Sequence, residues 1–237
     1  MKAAKVRLYV DHPLGAGQSV PLTREQAHYL FSVMRLGPHD GVLLFNGEDG
    51  EWRSDVIDAG KRGGRLMCIE QTKVQQNPPD LWLLFAPIKK ARTDFIVEKA
   101  TELGVACILP VQTEFTNTER IRRDRLQAHA VEAAEQCGGT YVPPVEDIQK
   151  LSDVLDGWSA DRSLIFCDEV LVGHAATQMP NAPAAILVGP EGGFSERERS
   201  RLRDVAASVS LGPRILRADT AAISAITLWQ SKRGDWQ

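Results

Sequence analysis

The sequence predicts an α/β protein in two parts: a small β-barrel domain over residues 1–74, then a parallel-sheet α/β domain over residues 75–237. Three observations carry this. The first seventy-odd residues contain short apolar runs divided by glycine-containing turns, with one amphipathic helix among them. Residues 75–80, QQNPPD, join two prolines to polar neighbours as a linker does. Beyond them, apolar strand-like runs alternate with helical patterns, the signature of a parallel sheet with crossover helices.

In the first part the strand runs are VRLYV, GVLLFNG, EWRSDVIDAG and RLMCIEQTKV, and the helix is TREQAHYLFSVMR. Ala27, Leu30, Phe31 and Met34 fall at i, i+3, i+4 and i+7 and predict one face packed on the barrel. Thr23 and Gln26 have capping-box spacing at the helix start. Arg35 at its end either complements the helix dipole or faces a ligand. In the second part the strands are LWLLFAP, VACILPV, SLIFCDE, AAILVG and SVSLG, and the helices span about 91–103, 122–137, 147–156, 196–206 and 220–233.

The hydrophobic fraction of 43% and charged fraction of 25% belong to a globular chain with a full core, which excludes a disordered class. Cys68, Cys107, Cys137 and Cys167 never fall in CxxC spacing and the five histidines are scattered, so neither a metal site nor a disulfide framework is expected. The start lacks the apolar stretch of a signal peptide, and no apolar run approaches the roughly 20 residues that span a bilayer. A cytoplasmic protein without membrane partners is the expectation. A net charge of −3 argues against a general nucleic-acid-coating protein, but leaves room for an RNA enzyme whose basic residues are gathered locally.

Three segments carry chemistry. AAILVGPEGGFSERE runs an apolar strand into a glycine-rich turn and a helix start. Ligands bind at the carboxyl edge of an open α/β sheet, and Gly189, Gly192 and Gly193 let one approach the backbone. The same run is equally readable as a tight turn that binds nothing, because it has neither GxGxxG spacing nor a P-loop lysine. SLGPRILRADTAAISAITLWQ joins a Gly-Pro turn to a helix of small residues, Ala218, Ala221, Ala222, Ser224 and Ala225, suited to close packing in the core or against a second subunit. Arg214 and Arg217 beside it are either solvated loop ends or ligand contacts. In PIKKARTDFIVEKATELGV, Lys89, Lys90 and Arg92 follow a strand, and further on Arg120, Arg122, Arg123 and Arg125 form a basic segment. Phosphate binding and a solvated helix face both account for them.

Taken together in order and spacing, HYLFSVMRL at 28–36, KKARTDFIVEKATELGV at 89–105, AAEQCGG at 133–139, LVGPEGGFSERE at 187–198 and LGPRILRADTA at 211–221 resemble the 16S ribosomal RNA uridine-N3 methyltransferases of the SPOUT class. The resemblance covers nearly the whole chain. It departs at Asp219, where the family commonly has Glu, and at Gly139, where it commonly has Arg.

The resemblance implies a PUA-like barrel that holds RNA and a C-terminal domain with a deep trefoil knot. It implies S-adenosylmethionine bound in a bent form by Leu187, Gly189, Pro190, Glu191, Gly192, Leu211, Gly212, Ile215, Leu216, Arg217 and Ala221. Ile215 and Leu216 would cover the adenine, and Glu191 either meets the cofactor or caps the following helix. The product would be 3-methyluridine at uridine 1498, with Arg217 as the catalytic residue opposing the negative charge left when N3 loses its proton. Arg7, Arg35, Lys89, Lys90 and Arg92 are the RNA-anchoring candidates. The partners implied are 16S ribosomal RNA, within the small ribosomal subunit, and a second copy of the chain, with Trp229 and Ile226 at the subunit interface or in the core. No residue is assigned as the general base. The rival readings are a SPOUT enzyme acting on another RNA and a non-catalytic RNA-binding assembly factor.

Overall fold

The computed structural model describes residues 4, 6–60, 62–117, 121–171 and 179–236, so Arg120 lies outside the described residues. The chain divides into two compact units, one of Met1–Asn77 with Ala134–Val142, the other of Pro78–Ala133 with Pro143–Gln237. The first unit is therefore not contiguous in sequence, because a piece near 140 returns to it.

The first unit is built on a five-stranded sheet. Its strands are β1 (Arg7–Tyr9), β2 (Ser19–Pro21), β3 (Gly41–Phe45), β4 (Glu51–Gly60) and β5 (Gly63–Lys73), in the order β1-β3-β4-β5-β2. β2 escapes the sequence reading because Val20 is the one apolar side chain between Ser19 and a proline, so no apolar run marks it. The sheet buries Leu8, Val20, Val42, Leu44, Val56 and Leu66 around one core.

The expected single helix is instead two pieces. Helix α1 (Arg24–Ala27) begins at Thr23 with the expected capping box, then widens into a π-helix over His28–Val33, where Met34 N–H reaches the Tyr29 carbonyl five residues back. The wider turn rotates the apolar face. Ala27 and Leu30 are buried and Phe31 packs on the core, but Met34, expected on the same face, is exposed.

Arg7 holds the discontinuous piece in place. Its Nε donates to Glu51 at 2.5 Å, Nη1 to the carbonyls of Ala134 and Glu135, and Nη2 to the carbonyl of Gly139. Its guanidinium also lies 4.3 Å from the Phe45 ring centroid. With all three nitrogens engaged and its side chain 13% exposed, Arg7 is structural; the expectation that it anchors RNA phosphates gives way.

In the second unit six strands, β6 (Leu81–Phe85), β7 (Cys107–Gln112), β8 (Gln149–Lys150), β9 (Ser163–Cys167), β10 (Ala184–Val188) and β11 (Ala207–Val209), form an all-parallel sheet in the order β11-β9-β10-β6-β7-β8. Helices α2 (Lys90–Glu102), α3 (Arg123–Cys137), α4 (Leu151–Asp156), α5 (Glu196–Val205) and α6 (Ala218–Arg233) accompany it. The expected helix at 147–156 is shorter, because Gln149 and Lys150 pair with β7 before α4 begins. Every residue of β10 is buried, as a central strand of a covered parallel sheet requires.

The small-residue face of α6 packs inside this unit: Ala218, Ala221, Ala222, Ala225, Ile226 and Trp229 are all buried within the single chain, and Trp229 Nε1 donates to the Pro180 carbonyl at 2.9 Å. Of the two placements expected for Ile226 and Trp229, the core is the one observed. Among the described residues no helix is long and apolar enough to cross a membrane.

Glu51 is 2% exposed. Burial pushes its carboxyl up, but hydrogen bonds from Arg7 and Thr72 and the charges of Arg7 and Lys73 outweigh this and hold it below its ordinary value of 4.5. The stability it contributes is therefore complete above that value and is lost as the pH falls through the lowered one. Replacing Arg7 by Ala leaves this carboxylate buried with weaker partners and should cost about 3 kcal/mol in urea unfolding at neutral pH. The loss should shrink on acidification, once Glu51 is protonated in both variants.

Candidate cofactor site

Three neighbouring strands, β11, β9 and β10, end side by side, and the loops beyond their carboxyl ends enclose a cavity of about 410 Å³. The volume is that of a small-molecule pocket, at the sheet edge where open α/β folds bind ligands. Cys167–Glu169 line it from β9, Val188–Gly193 from β10, and Val209–Gly212 with Arg214–Ala218 and Ala221 from beyond β11.

The glycine loop after β10 is shaped by what it cannot hold. A Cβ at Gly189 would lie 2.5 Å from the Phe194 ring, and one at Gly193 would overlap the Glu169 carboxylate. Gly193 also has φ of +69°, a left-handed conformation that costs a side-chain-bearing residue energy. Gly193 N–H closes the turn on the Pro190 carbonyl at 2.9 Å. Phe194 then plugs the loop into the core, edge-on to Phe166 at 5.0 Å. Ser195 and Glu198 cap α5 reciprocally, so Glu191 does not perform that role and stands exposed at the cavity.

Behind the loop lies an ion network. Asp168, its side chain fully buried, accepts from Arg199 at 2.5 Å and Arg203 at 3.0 Å, while Arg199 also donates to Glu169 at 2.5 Å and to the Phe194 carbonyl. Burial works against the Arg199 charge, but Glu169 and Asp168 outweigh it and raise its pKa. The Cys167 thiol is pushed up to about 12 by burial, with Glu169 adding to the effect, so it is neutral at physiological pH and no nucleophile.

Ten of the eleven cofactor candidates line this one cavity: Gly189, Pro190, Glu191, Gly192, Leu211, Gly212, Ile215, Leu216, Arg217 and Ala221. Leu187 does not; its side chain is in the core with Leu84, Phe166 and Leu202. Gly212 has φ of +108°, which explains the glycine there. Ile215 is 75% exposed at the cavity, free to cover a ligand. Arg217 is the N-cap residue of α6 and is exposed, with its side chain taking no part in the cap.

Lys89 and Lys90 are exposed beyond β6, the strand next to β10, and Arg92 lies 3.7 Å from Asp219 on α6. Arg35 is exposed on the first unit, with φ of +57°. Of the other basic segment, Arg122 pairs with Asp124, Arg123 donates to the Val145 carbonyl and Arg125 pairs with Asp94. Asp168 and Glu169 were absent from the candidates read in the sequence. Their signal was present, since SLIFCDE reads as a strand and its acids stand at the same carboxyl edge as the glycine loop.

The cavity offers a ligand apolar walls in Leu211, Ile215 and Leu216, backbone groups in both loops, and the carboxylate of Glu169 together with Arg214 and Arg217 in its lining. Such a set fits S-adenosylmethionine, which joins a flat apolar base to a cationic sulfonium and ammonium.

Comparison with known proteins agrees. Residues 75–230 match the model of the RNA methyltransferase domain, and residues 22–65 that of the RNA methyltransferase PUA domain. The ribosomal RNA small subunit methyltransferase E of Rickettsia conorii is 32% identical over 229 residues, covering 93% of each chain. That of Synechocystis is 32% identical over 220 residues, covering 88% of this chain and 71% of the relative. The crystal structure of the Neisseria gonorrhoeae enzyme of the same name, bound to S-adenosylmethionine, superposes with a TM-score of 0.88 at 29% identity, over 98% of this chain and 99% of that one.

Gly193→Ala should destabilise the protein by about 2 kcal/mol, from the positive φ and the overlap with Glu169 together. Thermal unfolding measures it, and Gly63→Ala, at an open position with nothing within 4 Å, is the control expected to stay near wild type.

Proposed function

The chain belongs to the ribosomal RNA small subunit methyltransferase E family, and from that premise we propose that it transfers the methyl group of S-adenosylmethionine to N3 of one uridine in 16S ribosomal RNA. The observation that supports this best is the cavity beyond β9, β10 and β11, with Arg217 exposed at it.

When bound, S-adenosylmethionine supplies an electrophilic methyl group on a positively charged sulfur. The chain's own residues have two tasks. Backbone of the glycine loop and of residues 211–217 holds the cofactor rigidly, which places the reacting atoms within reach. Arg217 opposes the charge that develops on the uracil oxygens as N3 gives up its proton, an electrostatic contribution made mainly in the transition state. Glu169, fixed by Arg199, lines the cavity and would offer its carboxylate to the cationic part of the cofactor.

The substrate in this reading is a small subunit already at least partly assembled, in the cytoplasm. A chain of net charge −3 has no broad attraction for naked RNA and needs a shaped target. Arg35 on one unit and Lys89, Lys90 and Arg92 on the other supply separate phosphate contacts, and engaging both raises the effective concentration at the second. The reading includes a homodimer, for which the support is the family resemblance alone, since Trp229 and Ile226 are inside the chain.

Mass spectrometry of nucleosides from 16S ribosomal RNA of a deletion strain should show 3-methyluridine missing, and complementation should restore it. Its persistence in the deletion strain, or a ribose-methylated nucleoside in its place, contradicts the reading. Arg217→Ala should lower kcat by about a hundredfold while changing the KM for subunits little, as loss of an interaction made only in the transition state does.

A further inference from the structure

Phe115 is an aromatic residue that the core does not use. It follows β7 in the loop 113–116 and is 43% exposed. The loop is built to hold it still. Thr113 N–H donates to the Thr116 hydroxyl at 2.9 Å, the two threonine hydroxyls share a hydrogen bond of 2.9 Å, and Thr116 N–H returns to the Thr113 carbonyl. Glu114 N–H donates at 2.9 Å to Oε1 of Glu198, whose Oε2 accepts from Ser195 at the start of α5. One carboxylate thus ties the Phe115 loop to the helix start that follows the glycine loop.

The position matters as much as the rigidity. A Cβ on Gly192 would lie 3.2 Å from Cβ of Phe115 and 3.8 Å from its ring, so the Phe115 side chain sits against the glycine loop at a residue that lines the cavity. Phe115 itself is not part of the cavity lining, which places the ring outside the space taken by the cofactor. β7 is next but one to β10 in the sheet, and the loop after β6, between them, presents the exposed cations Lys89 and Lys90. A half-exposed aromatic ring held against the glycine loop, at the same sheet edge as these cations, fits a flat ring that is attached to phosphate.

We propose that Phe115 is a substrate-positioning residue, on whose ring the target nucleobase of the RNA stacks when it is presented to the cavity. The inference rests on the reading of the chain as an RNA methyltransferase. A base taken out of its own stack loses neighbours on both faces, and enzymes that act on single bases replace them with aromatic or apolar side chains. Because stacking needs a π face, tyrosine should substitute for Phe115 and leucine, of similar bulk, should not.

The experiment is methyl transfer to small subunits purified from the deletion strain, using the full chain as wild type, Phe115→Tyr, Phe115→Leu and Phe115→Ala, beside calorimetric titration of each with S-adenosylmethionine. Expected are a fall in kcat/KM for subunits of about tenfold in Phe115→Leu and Phe115→Ala, wild-type behaviour within about twofold in Phe115→Tyr, and unchanged cofactor affinity throughout. Should Phe115→Ala fail to fold, the contrast between leucine and tyrosine decides alone. Wild-type kcat/KM in Phe115→Leu, or a parallel loss of cofactor affinity, overturns the role of Phe115 while leaving the function standing. A wild-type protein that methylates no subunit overturns the function and the inference together.

Discussion

Arg199 links the loops on which the cavity depends. From the first turn of α5 its guanidinium reaches Asp168 and Glu169 beyond β9 and the Phe194 carbonyl in the loop beyond β10. Two loops that meet only at the edge of a sheet would otherwise be free to part. Buried ion pairs often add little net stability, because removing two charges from water is costly. Here the charges set position: Glu169 is held against Gly193, which has no side chain to keep it away, and the glycine loop is held in the turn that leaves its backbone open to a ligand. The positive φ at Gly193, the Phe194 plug and the Ser195–Glu198 cap all act on the same short stretch of chain. Such preorganisation serves a methyl transfer, which depends on holding two reactants in line.

The first unit uses a similar device for a different end. Arg7 joins β1 to Glu51 on β4 and to three carbonyls of residues 134–139, and Lys73 donates to the Gly138 carbonyl beside them. Those carbonyls belong to the end of α3 and the turn that follows, where helix carbonyls lack partners of their own. An arginine that reads as an RNA contact in the sequence is thereby committed to the interior. Arg35, in contrast, stands exposed after a π-helix, a form that recurs at functional sites.

Much of the second unit was legible because its signals are local. A five-residue apolar run such as AAILV followed by glycines predicts a buried strand and a permissive turn, and the resemblance carried by LVGPEGGFSERE and LGPRILRADTA supplied the ten residues that line the cavity. What stayed hidden depends on partners distant in sequence. The acids of SLIFCDE can be placed at the strand end, but their contribution becomes visible only when β9 is known to lie beside β10 and Arg199, 31 residues from Asp168 and 30 from Glu169, is seen to reach both. Leu187 differs from the other ten in having its side chain in the core, which the motif alone does not say within a buried strand. The π-helix was unreadable for another reason: a single extra residue in a turn leaves the 3.6-residue periodicity intact up to Leu30 and displaces only Met34. The family resemblance supplied the cofactor and the target base, which no periodicity or charge count contains.

Everything proposed for the reaction requires the two loops beyond β10 and β11 to enclose the cofactor, and a crystal structure of the protein with S-adenosylmethionine tests this most directly. The predicted result is the cofactor seated between residues 189–193 and 211–217, with its cationic end toward Glu169 and Arg217 free to meet a substrate. Cofactor found elsewhere, as in the depression lined by Ile121, Arg122, Arg123, Asp124 and Asp147, or a cavity left empty at saturating concentration, would contradict it.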